Sequence, residues 1–251
     1  MMKKVTLLCG LAIAGAGLSA QTLFFESFDN TVDQQSITVL DNWNWAASDG
    51  GVSNTSNRQF GRLSAAAGVG GDAGFAYVYQ NAGSTFASVV WYDGASFAQN
   101  AVTGLSAFVG NSNATNQVRF LIQIDNSNWY VSTAAGQTSV GAAGNFSSGA
   151  VEFAVPFSTA GANWVALSFD GQLGAASTGF PILQGDISGS ALSDPLPSGN
   201  ITAVGAYLLN ANNTSSRFDN FTVIPEPSVY AALIGLVTLA WVVFVRRRLV
   251  A

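Results

Sequence analysis

The sequence predicts an all-β domain, an antiparallel sandwich of two sheets, placed between two apolar terminal segments. Short stretches of alternating apolar and polar residues recur along the middle of the chain, which places successive side chains on opposite faces of a sheet. Gly, Asn, Ser and Asp separate these stretches, and no interior segment keeps the spacing of an amphipathic helix. Six Trp and seventeen Phe residues supply enough apolar surface for a core.

The alternating pattern locates the strands, and the composition between them indicates one domain. Two low-complexity blocks, 64–74 and 132–149, are predicted to be loops, and neither has the proline or charge of an interdomain linker. One domain over residues 21–223 is therefore predicted. The predicted strands are 22–28, 75–80, 87–93, 117–125, 128–133, 150–157, 163–170, 201–209 and 216–224.

Residues 1–20 have the order of a secretory signal peptide. Lys3 and Lys4 precede an apolar stretch, and small residues lead to an expected cleavage after Ala20. An uncleaved N-terminal membrane anchor is the alternative. The only cysteine, Cys9, lies in this leader, and the chain has no histidine. The mature chain therefore lacks a disulfide, a thiolate nucleophile, an imidazole base and a Cys/His zinc site.

The end of the chain has the features of a membrane span. Residues 229–245 are apolar and would form about 25 Å of helix, just enough to cross a bilayer. Arg246, Arg247 and Arg248 follow directly, and positive charge is retained on the cytoplasmic side of a membrane. The sequence therefore predicts a transmembrane helix with the preceding domain exported.

A Pro-Glu-Pro triplet, Pro225, Glu226 and Pro227, precedes this apolar run. Each proline fixes φ and pushes its preceding residue toward extended backbone, so the triplet is expected to be a stiff, exposed tether. A plain proline-rich linker is the alternative.

Over residues 224–251, the triplet, the apolar run and the basic end together resemble the PEP-CTERM sorting signal. This signal occurs in Gram-negative bacteria that make extracellular polysaccharide. The resemblance implies recognition by an exosortase, a membrane-embedded cysteine protease that removes the helix and releases or transfers the passenger.

Three segments of the domain are similar to the laminin-G or concanavalin-like jelly-roll passengers common in PEP-CTERM proteins. They are DNSNWYVST, NWVALSFDG and SSRFDNFTVIPEP. This resemblance implies that the first strand, near 24–28, lies beside the last, near 218–223.

Several jelly-roll carbohydrate-binding modules hold a calcium ion with an acidic residue of the first strand and an aspartate of the last. Glu26 and Asp219 occupy comparable places, and carboxylates suit Ca²⁺. A turn or backbone cap at Asp219–Asn220 is the alternative.

Charge and catalytic composition restrict the function further. Residues 21–227 hold four arginines, no lysine and fourteen acidic residues, a net charge of −10. Nucleic acid is excluded as a partner because phosphate binding needs clustered cations.

A glycoside hydrolase needs two carboxylates across a sugar bond, yet no spacing nominates a pair among Glu26, Glu152 and the aspartates. The domain is therefore predicted not to be an enzyme.

Exposed aromatic side chains are the remaining candidates for ligand contact. Trp43 and Trp45, in DNWNW, sit among polar residues and would share one face if this stretch is extended, which makes them the candidate carbohydrate-binding pair. Packing in the core is the alternative. The sequence thus predicts an exported surface or extracellular-matrix protein with polysaccharide as its candidate ligand; a purely structural matrix component and a glycoside hydrolase are the alternatives.

Overall fold

The computed structural model describes residues 22–29, 39–40, 42–48, 58–67, 73–81, 83–136, 150–173, 180–185 and 187–226. The predicted signal peptide, Pro227, the predicted helix 229–245 and Arg246 to Arg248 lie outside these residues. Within the described part of the chain, no helix has the length and apolar character needed to cross a membrane.

The described residues form strands joined by turns and three short 3₁₀ segments. Predicted strands match observed ones closely where the alternation is strong, as at 117–125 and 201–209. The strands are β1 Phe24–Glu26, β2 Val39–Leu40, β3 Trp43–Ala47, β4 Arg58–Ala67, β5 Ala73–Gln80, β6 Phe86–Tyr92, β7 Phe97–Ala98, β8 Val102–Asn111, β9 Gln117–Ile124, β10 Asn128–Ser132, β11 Val151–Pro156, β12 Trp164–Leu167, β13 Asn200–Asn210 and β14 Thr214–Pro225.

These strands make two antiparallel sheets, which confirms the predicted all-β, two-sheet architecture. The six-stranded sheet has the order β11-β8-β14-β5-β4, with β1 also paired to β14. The eight-stranded sheet has the order β12-β10-β9-β13-β6-β3-β2, with β7 paired to the start of β13. The first strand lies beside the last as expected, since Phe24 pairs with Val223 and Glu26 with Phe221.

Part of the first predicted loop is a strand. Residues 64–67 belong to β4, where Ala67 pairs with Ala73 of β5. The prediction was wrong here because alanine has little strand propensity of its own, and the ladder to the neighbouring strand supplies the order instead.

The inner core lies between the sheets and centres on Trp43. Its ring lies 5.2 Å from both Phe28 and Phe221, centroid to centroid, and 6.0 Å from Phe218. Such tilted and edge-to-face pairs add stabilisation beyond the buried area. Residues from β3, from β14 and from the segment after β1 therefore meet in one aromatic cluster that joins the two sheets.

The outer face of the eight-stranded sheet is also covered. Trp91 and Trp129 point outward from it and pack against Phe169 at 5.1 and 5.2 Å. We call the covering residues, 168–173 and 180–185, the outer strap. Both faces of this sheet are therefore shielded from solvent, whereas a half-buried sheet has one solvent-exposed face.

Two facing side chains of the sheet hold the outer strap by its backbone. Tyr207 and Arg119 pair across β13 and β9. The Tyr207 hydroxyl donates to the Pro181 carbonyl at 3.0 Å and accepts from the Leu183 amide at 2.7 Å. Arg119 Nη2 donates to the Gly185 carbonyl at 2.7 Å. Burial raises the pKa of the Tyr207 hydroxyl well above its usual range, so it stays protonated and able to donate.

Candidate functional site

A cleft of about 710 Å³ opens at the end of the sandwich where β14 finishes and β8 begins. Three segments that are far apart in the chain form its walls. We call it the end cleft, and its lining is Ala98, Gln99, Asn100, Val102, Phe157, Ser158, Thr159, Leu196, Ser198 and Gly199.

Hydrogen bonds fix these walls to one another. Gln99 Nε2 donates to the carbonyls of Pro197 and Gly199, at 2.7 and 3.0 Å. On the other side, the Leu196 amide donates to the Thr159 carbonyl at 2.8 Å. The Trp164 indole donates to the Ser158 carbonyl at 2.7 Å, which anchors the segment after β11 to the core. The cleft is therefore built from a framework that exists before any ligand enters.

Gly199 allows one wall to approach its neighbour closely. A Cβ at this position would lie 2.2 Å from Asp125 Oδ2, which is a clash. Asp125 Oδ1 accepts from the Asn200 amide at 2.9 Å and so orders the chain just behind the wall. Glycine at this position leaves the carboxylate undisplaced, and its φ of 156° lies in a region that other residues rarely adopt.

The end cleft offers the groups that bind a sugar. Val102, Phe157 and Leu196 form its apolar part, and Phe157 is only half-buried. Amide and hydroxyl side chains of Gln99, Asn100, Ser158, Thr159 and Ser198 surround them. A ring face beside a few fixed donors and acceptors is the usual arrangement in small-molecule sites. Among the residues that the structure describes, no charged side chain lines the cleft.

A second cleft, of about 490 Å³, lies beside the start of β10 and the end of β12. Asn128, Ser168 and Asp170 give it polar character. Its rings are those of Trp129, Tyr130 and Phe169, which are only 4%, 8% and 8% exposed. Rings this deep cannot present a face to a ligand. A third cleft, of about 320 Å³, lies at the opposite end of the sandwich, near Gln117 and Gln184.

The predicted carbohydrate-binding pair, Trp43 and Trp45, does not reach the surface. Both side chains are 0% exposed and belong to the inner core. They do share a face of β3, as the alternation predicts, but that face points between the sheets. The prediction of an exposed pair is wrong because the polar neighbours that suggested exposure, such as Asn44, lie on the other face of the strand and are themselves nearly buried.

The two carboxylates nominated for calcium lie on neighbouring strands but face different surroundings. Glu26 pairs with Phe221, a member of the inner core, and its oxygens accept from the Phe28 amide at 3.0 Å and the Trp43 indole at 3.4 Å. Asp219 pairs with Phe108, which packs on the separate cluster of Phe75 and Tyr77. Their strand pairing therefore does not join Glu26 and Asp219 in one calcium site.

The alternative interpretation of Asp219 agrees with the structure. Asp219 Oδ1 accepts from the Asn220 amide at 2.8 Å, and Asn220 has φ 50°, a left-handed conformation that asparagine tolerates. This is the predicted turn with its backbone cap, and it forms the bulge in β14 between Asp219 and Thr222. Among the described residues, no group of three or more His, Cys, Asp or Glu side chains could hold a metal ion.

The start of the Pro-Glu-Pro triplet belongs to the folded domain. Pro225 is the last residue of β14 and pairs with Val102, and the Glu226 amide donates to the Ala101 carbonyl at 2.8 Å. The Thr103 hydroxyl lies 2.9 Å from the Pro225 carbonyl, to which it can donate. The expectation of a free tether is therefore wrong for Pro225 and Glu226, because β8 pairs with Pro225 and the residue before β8 binds the Glu226 amide.

Sequence reasoning did not find the residues of the end cleft. Gln99, Phe157 and Ser198 come from three separate connections, and none belongs to a motif. The nearest signal was the predicted strand 150–157, whose last residue is Phe157.

No family model matches the chain, and no curated protein matches it. Among solved structures it is similar to an arabinose-bound GH51 α-L-arabinofuranosidase, at 8% identity and a TM-score of 0.44, covering 82% of this chain and 27% of that one. It is also similar to a family 11 carbohydrate-binding module of a Clostridium thermocellum cellulosomal cellulase, at 12% identity and a TM-score of 0.40, covering 78% and 96%.

A third similar structure is the CBM22-1 xylan-binding domain of Paenibacillus barcinonensis Xyn10C, at 11% identity and a TM-score of 0.40, covering 83% and 97%. The chain spans only about a quarter of the length of the arabinofuranosidase and of an exo-β-agarase that it also matches. These likenesses are too distant to assign a family or a function.

Proposed function

We propose that this chain is an exported, non-enzymatic protein of the cell surface or extracellular matrix that binds polysaccharide in the end cleft. The observation that carries the proposal is the lining of that cleft. A partly exposed phenyl ring, Phe157, packs against Trp164 at 5.8 Å and lies among amide and hydroxyl groups, of which the Gln99 amide is already held by hydrogen bonds. Sugars present apolar ring faces and many hydroxyls, and a preformed site binds them without first ordering its own walls.

The carboxylates of the domain support a non-catalytic role. Glu26 uses both oxygens inside the fold, toward Phe28 and Trp43. Glu152 lies on the exposed edge strand β11, opposite Phe108. A glycoside hydrolase needs two carboxyl groups that flank one sugar bond, and neither glutamate lines the end cleft.

Replacing Phe157 by alanine should weaken polysaccharide binding at least tenfold, which corresponds to about 1.4 kcal/mol. The full chain, solubilised in detergent, is run through native gels that contain a panel of polysaccharides, and retardation gives the affinity. Phe157→Leu keeps apolar volume but removes the ring face, so it should also weaken binding while leaving the thermal midpoint close to that of the unaltered chain.

Phe25→Ala is the matched control for this experiment. Phe25 is 53% exposed on β1 and is absent from the end cleft, so its loss should leave retardation unchanged. Equal retardation of Phe157→Ala and the unaltered chain would remove the end cleft from the proposal. If no polysaccharide of the panel retards the unaltered chain, polysaccharide binding is contradicted and a structural role in the matrix is the remaining proposal.

We further propose that an exosortase processes the tail after export, with the signal peptide and residues 229–245 as the membrane-directed elements. The sequence of residues 224–251 supports this. A protease needs an unpaired stretch of backbone to cut. Because Pro225 pairs with β8 and the Glu226 amide is bound to Ala101, we expect the cleavage site to lie after Glu226. We expect the mature protein from its native host to keep Pro225 and Glu226 and to lack Trp241.

Intact-mass analysis of the protein from its host measures this directly. A mature chain that still contains Trp241 contradicts processing. A mature chain that ends before Pro225 contradicts the boundary while leaving processing in place.

A further inference from the structure

We infer that the end cleft selects uncharged glycans and excludes polyanionic ones such as polyuronates and sulfated polysaccharides. This inference rests on the proposed function and names the substrate class of the same site. Three features of the described residues carry it: the groups that line the cleft, the charges that flank it and the positions of the arginines.

The lining itself has no group that can neutralise an anion. Amide and hydroxyl side chains provide its polarity, and no Lys or Arg contributes to it. Recognition of a carboxylate or sulfate in proteins usually depends on arginine, whose planar fork donates two parallel hydrogen bonds. An anionic sugar in this cleft would lose hydration without gaining a charge partner.

Carboxylates flank the cleft. The Asp125 carboxylate lies directly behind Gly199, at the distance where a Cβ would clash with it. Asp194 is exposed and lies two residues before Leu196. Glu226 is exposed, and its amide is bound to the Ala101 carbonyl, next to Asn100 of the lining. With the net charge of −10 over residues 21–227, we therefore expect a negative potential at the cleft.

Most arginines of the domain do not present their charge at the surface. Arg62, Arg119 and Arg217, three of the four arginines in residues 21–227, are each at most 2% exposed. The cation of Arg119 is directed at backbone carbonyls of the fold rather than at solvent. An acidic surface with buried cations repels a polyanion over about 30 Å at 10 mM salt and over a few ångströms near 1 M.

The experiment adds charge to one ligand and to one position of the protein. A neutral polysaccharide that retards the full chain is oxidised at its C6 hydroxyls to carboxylates, and a sample is then reduced back to the alcohol. At 10 mM salt the oxidised polymer should bind at least tenfold more weakly than the neutral one, and reduction should restore binding. At 0.5 M salt the difference should shrink to about threefold or less.

Asn100→Lys tests whether charge is the cause. Asn100 is an exposed residue of the lining, so a lysine there places a cation at the cleft without disturbing the core. This variant should narrow the difference in affinity between the oxidised and the neutral polymer from at least tenfold to about threefold or less at 10 mM salt. Gln184→Lys adds the same charge at the opposite end of the sandwich and should not narrow this difference.

The outcomes separate the inference from the function on which it rests. Binding of the oxidised polymer as strong as that of the neutral one overturns the charge selection and leaves polysaccharide binding standing. Equal narrowing of the difference by Asn100→Lys and Gln184→Lys also overturns it, because the effect would then be one of net charge. Failure of every neutral polymer to bind overturns the proposed function itself.

Discussion

Replacing Trp43 by alanine should lower the free energy of unfolding by about 3–5 kcal/mol, the usual cost of removing a large buried aromatic side chain. Trp43 is fully buried and contacts rings from three other strands, Phe24, Tyr92 and Phe221, at 5.2 to 6.3 Å. Its indole N–H also donates to Glu26, which would lose a partner. Chemical denaturation of the full chain in detergent, followed by tryptophan fluorescence, measures the change.

The same substitution decides between the two interpretations of this tryptophan. Phe25→Ala removes an exposed ring and should change stability by less than about 0.5 kcal/mol. A Trp43→Ala variant that stays within 1 kcal/mol of the unaltered chain but no longer binds polysaccharide would show that Trp43 is a ligand contact after all. We expect the opposite, a large loss of stability.

Arg119→Met should be the second most damaging change, with a loss of about 3 kcal/mol or more. Arg119 is buried and donates to the side chain of Gln117 and to the carbonyls of Ser132, Thr133 and Gly185. Methionine fills similar space but leaves these acceptors without their donor. Since Gly185 belongs to the outer strap, hydrogen exchange should also accelerate in the strap before the sheet unfolds.

Arg217→Met is the matched control, because Arg217 is equally buried but its guanidinium differs from that of Arg119 in its hydrogen bonding. Its Nη1 has no hydrogen-bond acceptor among the described residues, and its guanidinium carbon lies 5.9 Å from the centroid of the Phe75 ring. Burial lowers its pKa, which means that the charged form is disfavoured there. A buried cation with an unsatisfied donor costs free energy, which its replacement by an apolar group removes, so we expect a change within about 1 kcal/mol. A loss equal to that of Arg119→Met would contradict this account.

The strands were predictable because a strand's side-chain period appears directly in the sequence. The stretches 117–125 and 201–209 became β9 and β13, the centre of the eight-stranded sheet. The strands that were missed, such as β3 and β8, contain Asn, Gly and Ser at positions where the pairing partner supplies the order. Local propensity cannot report a partner that lies far away in the chain.

The burial of particular rings was less predictable. Alternation predicts that one of two adjacent aromatic residues is exposed, yet Trp129 and Tyr130 are both buried. Tyr130 faces the inner core, whereas Trp129 lies under Phe169 of the outer strap. A sequence pattern reports the two faces of a strand but not a second layer that covers the outward one.

The end cleft could not be predicted for a similar reason. Its residues come from the connection before β8, the segment after β11 and the loop before β13, which only the topology brings together. The contact of Gly199 with Asp125 joins positions more than 70 residues apart. No spacing rule in one sequence connects such positions.

Hydrogen exchange of the full chain, with and without a saturating oligosaccharide of the polymer that binds best, tests the central claim most directly. The account predicts slower exchange at 98–102, 157–159 and 196–199, the three segments of the end cleft. Protection at 127–130 and 166–170 instead would place the ligand in the cleft beside Trp129 and contradict the account.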